Sequence, residues 1–154
     1  MKIKLLNPFL ACAAAIVFCM TAALPAMAQT GADPTLAAAA KEAGAKVTAS
    51  GLVILMVKEG AGPQPTAAST VRVHYKGMFP DGREFDSSYK RGEPIEFPLN
   101  GVIKCWTEGV ALMKVGGAAK LTCPASIAYG ARGAGGVIPP HATLVFEVVL
   151  LGVR

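Results

Sequence analysis

The chain has 154 residues, room for about one ordinary domain around a single hydrophobic core. Its formal net charge is +5, but the 15 Lys and Arg stand singly along the chain rather than in a stripe that would follow a phosphate backbone, so nucleic acid is excluded as the main partner. Two distant histidines and four unclustered cysteines lack the spacing of a metal centre.

Lys2 and Lys4 precede an apolar run from Ala11 to Met20, and Ala26-Met27-Ala28 then places small residues before Gln29. This order is that of a secretory signal peptide, residues 1–28, cleaved near Ala28. A membrane anchor fits less well, because Asn7, Pro8 and Pro25 interrupt the uncharged stretch and no basic cluster follows it. Cleavage removes two lysines and no acid, leaving thirteen basic against ten acidic residues, a net charge of +3. It also removes Cys12 and Cys19, so the exported chain keeps Cys105 and Cys123. An exported pair can oxidise to a disulfide or remain two buried thiols, and the sequence leaves both open. A bond would close a loop of about 19 residues, contributing on the order of 3 kcal/mol in the chain-entropy description.

Residues 29–48 are rich in Ala, Thr and Gly, with helical character only from Leu36 to Lys46, and read as a linker or frayed N-terminal arm. The arm is too short for a dimerisation domain, so a monomer is expected. From about residue 49 the pattern changes to short runs of branched residues punctuated by Gly and Pro, the mark of strands and turns. Leu52 to Lys58 is the first. Thr70 to Met78 alternates, with Val71, Val73 and Tyr75 on one face and Arg72, His74 and Lys76 on the other. Pro80-Asp81-Gly82 turns the chain into Arg83 to Ser87, and Pro94 to Leu99 is extended again.

Trp106, Val110 and Met113 recur at helical spacing until Gly116-Gly117 ends the segment. Two further strands follow, Ala118 to Cys123 and Thr143 to Val153, the latter with Leu144, Phe146, Val148 and Leu150 on one face. The loop between them, Ala125 to His141, has about 17 residues, a length that in compact domains commonly accompanies function. The expected fold is α+β: an antiparallel sheet packed on one short helix.

Five blocks occur in order: Val73-His74-Tyr75-Lys76-Gly77, Asp81 to Ser88, Val102 to Trp106, Ala128-Tyr129-Gly130, and Ile138 to Phe146. Together they resemble the FKBP family of peptidyl-prolyl cis/trans isomerases, in particular its secreted bacterial members, over about residues 49–154. The resemblance implies a five- or six-stranded antiparallel sheet curved around the helix, and X-Pro isomerase activity without cofactor or metal. It implies proline-containing unfolded or partly folded polypeptides as partners, and macrolides such as rapamycin as inhibitors. With the signal peptide, it implies a periplasmic or secreted location.

Carried onto this chain, the resemblance makes Tyr75, Phe85, Phe97 and Phe146 the walls of an aromatic pocket, Val102 and Ile138 its rim and Trp106 its floor. Asp86, Tyr129 and the backbone N–H of Ile103 supply the polar groups, and Arg91 pairs with Asp86. Ordinary readings stand beside these. The large apolar residues also suit core packing, Asp86 suits a turn cap, Tyr129 a bond within its loop, and Arg91 a solvated surface position. His74, on a polar strand face, and His141, in a turn, are not expected to act as acid or base. Cys105 stands where the best-known human members carry glycine.

Overall fold

The computed structural model describes residues 33–154. The signal-peptide expectation for residues 1–28 lies outside the described residues. The arm after it is no frayed linker from Asp33 on. A helix α1, Pro34–Ala39, starts with Pro at its first position and an Asp33 carboxylate accepting from the Thr35 amide. It is followed by a three-residue strand β1, Ala45–Val47. The strand then turns back at Thr48, whose amide donates to the Leu52 carbonyl, and pairs antiparallel with β2, Val53–Lys58.

The remaining strands and the helix follow the expected order, β3 Thr70–Met78, β4 Glu84–Ser87, β5 Ile95–Pro98, α3 Lys104–Ala111, β6 Ala118–Cys123 and β7 Leu144–Val153, with a one-turn helix α2, Ser88–Arg91, that was not expected between β4 and β5. All seven strands join one antiparallel sheet in the order β1-β2-β6-β7-β3-β4, with β5 also on β3. The sheet therefore has one or two strands more than the five or six expected. The addition to the six runs read from the sequence is β1, from the arm, while β4 and β5, both expected, divide one edge of β3 between its two ends. The longest ladder joins β7 and β3, neighbours in the interior of the sheet, from Met78↔Val145 to Val71↔Val153.

Alternation decides what lies beneath the sheet. Val71, Val73 and Tyr75 of β3 are buried, as are Leu144, Phe146, Val148 and Leu150 of β7, while Arg72 and Glu147 face water. Helix α3 covers this face with Cys105, Trp106 and Val110, all buried. It begins at Lys104, two residues before the expected start, because Ile103 serves as N-cap with no side-chain acceptor and leaves no capping signal to read. A Cβ on its Gly109 would come within 2.8 Å of the Leu121 methyls, so glycine is what lets the helix sit this close to β6. The sulfurs of Cys105 and Cys123 are bonded, with Cα atoms 5.8 Å apart, tying the first turn of α3 to the end of β6.

On the opposite face α1 lies over β6 and β7. Ala39 is buried, Lys120 reaches Glu42 at 2.6 Å, and the Thr143 hydroxyl donates to the Asp33 carboxylate.

Candidate active site

A cavity of about 530 Å³ opens between the sheet and the N-terminal end of α3. Tyr75, Phe85, Asp86, Phe97, Val102, Ile103, Trp106, Tyr129 and Phe146 line it, nine of the eleven site residues read from the sequence. Ile95 and Gly101 line it too, and neither carries chemistry that a sequence could flag. Arg91 stands behind the wall, bonded to two of the lining residues. Ile138, expected at the rim, is instead buried, paired with Ala134 in the loop, and lines a neighbouring depression.

Trp106 is the hub of the aromatic lining. Tyr75 meets it edge-on at 5.0 Å between ring centres, Phe146 edge-on at 5.3 Å and Phe97 tilted at 5.3 Å. Phe85 in turn meets Phe146 edge-on at 5.7 Å. Such contacts set positive ring edges against negative faces and fix each plane relative to the next. The Trp106 indole nitrogen is buried with no acceptor among the described residues. Trp106 itself is 5% exposed, so the floor is a wall of the core as well as of the site.

Local structure puts these rings in place. Tyr75 and Phe146 project to the same face because β3 and β7 are paired around them, Tyr75 opposite Val148 and Gly77 opposite Phe146. At Gly77 a Cβ would fall 2.6 Å from the Phe85 ring and 3.0 Å from Phe146, so a bare backbone here makes room for the wall. The buried hydroxyl of Ser88 accepts the Tyr75 amide at 2.8 Å and bonds the Tyr75 carbonyl at 3.2 Å, clasping α2 to β3. Across the cavity, the Thr107 hydroxyl donates to the Leu99 carbonyl, which pins the segment carrying Val102 and Ile103 to α3.

One side of the cavity is polar. The Tyr75 hydroxyl donates to Asp86, and Arg91 bridges the pair with one nitrogen 2.5 Å from the carboxylate and another 2.9 Å from the phenol oxygen. Asp86 therefore does more than cap a turn here, and Arg91 is no free surface cation. Burial would raise the Asp86 pKa, but the Tyr75 hydroxyl and the Arg91 guanidinium outweigh it and hold the carboxyl below its ordinary value. Burial, and then the bond to Asp86, push the Tyr75 phenol up. Tyr129 is also raised, by burial and then by the Asp86 charge. It is 37% exposed, and its hydroxyl has no partner among the described residues. The Ile103 amide likewise finds no acceptor there.

A small sheet-on-helix domain with an apolar, aromatic cavity and two uncommitted donors has the chemistry to hold an apolar group beside a hydrogen-bond acceptor. The comparisons with known proteins narrow that class. A family model described as FKBP-type peptidyl-prolyl cis-trans isomerase matches residues 62–151. The FKBP-type 22 kDa peptidyl-prolyl cis-trans isomerase of Escherichia coli strain K12 is 54% identical over 112 residues, 73% of this chain and 54% of that protein. FK506-binding protein 1 of Dictyostelium discoideum is 56% identical over 103 residues, 66% of this chain and 96% of that protein. The crystal structure of FkpA from Escherichia coli superposes with a TM-score of 0.76 at 49% identity, covering 79% of this chain and 56% of that one. The chain belongs to the FKBP-type peptidyl-prolyl cis-trans isomerase family. It spans about half the length of the bacterial relatives it matches.

Proposed function

We propose that this chain accelerates cis/trans rotation about X-Pro bonds of exported polypeptides, by binding the twisted amide in the cavity over Trp106. Amide resonance opposes that rotation by about 18–20 kcal/mol, and no covalent bond need break. Twisting removes the resonance, so the carbonyl loses part of its polarity and suffers less from leaving water. An apolar aromatic enclosure therefore favours the twisted state over either planar isomer, and that difference is what lowers a barrier.

The observation that carries this reading is the pairing of an aromatic cavity with two fixed donors. The proline ring lies against Trp106, walled by Tyr75, Phe97 and Phe146. The Ile103 amide and the Tyr129 hydroxyl hold carbonyl oxygens of the bound chain. Asp86 faces the same space, its charge kept by Tyr75 and Arg91. A thousandfold acceleration asks for only about 4 kcal/mol of differential binding. Neither nucleophile nor cofactor enters.

The same cavity takes macrolides such as rapamycin, and clients are proline-containing chains still folding in the periplasm or secreted space. The catalytic unit is residues 49–154, preceded by an arm, residues 29–48, that packs on it from Asp33 onward, and residues 1–28 are cleaved as signal peptide. A protease-coupled assay of X-Pro isomerisation, run on the chain from Gln29 with and without rapamycin, tests this. The expected result is an acceleration that rapamycin abolishes in proportion to occupancy; a folded protein with no acceleration leaves a proline-binding module.

A further inference from the structure

Beside the cavity over Trp106 lies a second depression of about 410 Å³, lined by Phe79, Arg83, Arg132, Val137, Ile138 and the Pro139-Pro140 turn. No residue lining it is acidic. Arg132 makes no hydrogen bond or ion pair among the described residues. Arg83 is only partly committed: its Nε donates to Asp81 at 2.7 Å and its guanidinium carbon lies 5.0 Å from the centre of the Phe79 ring, leaving the outer nitrogens of the fork open. The side chain of Val137, 57% exposed, adds an apolar surface between the charges and the loop.

The two depressions share a wall. Phe85 lines the first, Phe79 the second, and their ring centres are 5.2 Å apart. They also share a loop, since Tyr129 faces the first and Arg132 the second. The loop is closed at its base by the His141 amide on the Gly130 carbonyl, 2.8 Å, and within it by two backbone bonds between Ala134 and Ile138, 2.9 and 3.0 Å, so Arg132 is carried inside a closed loop. An extended chain advances roughly 3.3–3.6 Å per residue, so two or three residues beyond the proline span the 5.2 Å between the Phe85 and Phe79 ring centres of the shared wall.

We propose that this depression is a subsite for an acidic side chain, Asp or Glu, flanking the proline of the bound polypeptide, and that Arg132, with Arg83, reads its carboxylate. The proposal rests on the isomerase reading of the first cavity. A carboxylate matches the planar fork of arginine in two-point contact, which a lysine or a neutral amide cannot reproduce. The methylene stem of Glu lies against Val137 and Phe79. Asp86, the one carboxylate of the first cavity, does not oppose this, because Arg91 and Tyr75 already engage it.

The test is a set of X-Pro peptides identical except for Glu or Gln at the second or third position on either side of proline. Isomerisation is read as kcat/KM, and binding is read separately from the fluorescence of Trp106, the single tryptophan of the chain. On one flank, Glu is expected to exceed Gln by about two- to fivefold at low salt, the range of exposed ion pairs, and to lose most of that advantage near 1 M NaCl. R132A is expected to bring the Glu/Gln ratio close to one and R132K to restore part of it. A ratio at or below one on both flanks, or an advantage that R132A and R83A leave intact, overturns the subsite. Absence of turnover on the Gln peptides sinks the isomerase reading instead, and the fluorescence titration then still decides whether Glu is preferred in binding.

Discussion

Asp86 shows how a charged group serves an otherwise apolar cavity. With side-chain exposure of 42%, it keeps its charge through contacts rather than solvent alone, and the Tyr75 hydroxyl and Arg91 draw its pKa down against burial. A lowered folded pKa means that the contribution of this group is complete above the ordinary carboxylate value of 3.8 and is lost as pH falls through the lowered value. Tyr129 works in the opposite sense. Its raised pKa keeps the hydroxyl a donor until the pH passes its ordinary value of 10.0. Isomerase activity is therefore expected to stay level from neutral into mildly acidic solution, with the acid limb appearing only below the usual carboxylate range. A pH profile of kcat/KM checks this, and an acid limb centred near pH 6 would contradict it. Both groups were named from the five sequence blocks, and their environment is what the blocks could not supply. Nothing local in Asp81 to Ser88 distinguishes a carboxylate that caps a turn from one that meets Tyr75 eleven positions earlier.

At the scale of elements, the pocket depends on close approaches that only a bare backbone or a covalent tie permits. Replacing Gly77 by alanine places a methyl within 2.6 Å of the Phe85 ring in a wall whose other side is Phe146. Overpacking of this kind costs about 1–3 kcal/mol. The Gly77→Ala variant is expected to unfold at lower denaturant and to lose kcat/KM more than stability alone explains, because the displaced ring is a cavity wall. Equal kcat/KM for the two proteins would show that the wall tolerates the shift. The Cys105–Cys123 bond spans 18 positions and joins α3, which carries Trp106, to β6. Replacing both cysteines by alanine is expected to lower unfolding stability by about 3 kcal/mol, measured under oxidising conditions; an unchanged midpoint would show that the tie contributes nothing. The strands were readable because alternation and turn residues agreed along β3 and β7. The start of α3 was not, since Lys104 and Cys105 form a first turn behind an Ile103 cap that offers no acceptor. The bonding of the cysteines also stayed open until the helix and β6 were seen to bring their Cα atoms within 5.8 Å.

For the molecule as a whole, the surprise is the arm. Asp33 to Val47 lies on the sheet's outer face and edge through Glu42–Lys120, Asp33–Thr143 and the ladder of β1 on β2. Its composition hides this, because Ala45-Lys46-Val47 is too short to alternate and only the free edge of β2 makes it a strand. A chain beginning at Thr48 is expected to retain the cavity, which the arm does not line, but to melt a few degrees lower than one beginning at Gln29. Identical melting would make the arm a passenger. The cavity itself, by contrast, was largely visible beforehand, since family blocks fall where β3, β4, α3 and β7 converge on Trp106. Ile138 was misplaced by that logic, because its position depends on how the glycine-rich loop folds back on Ala134.

The most direct test of the central claim is NMR exchange of a Pro-containing peptide between its cis and trans forms, with the protein from Gln29 and its Asp86→Val and Tyr129→Phe variants. The account predicts exchange accelerated by the parent protein, reduced about tenfold or more by Asp86→Val, which strips a charge-assisted bond from the cavity, and reduced less by Tyr129→Phe. Exchange equally fast with all three folded proteins, or no faster than in buffer, would contradict it.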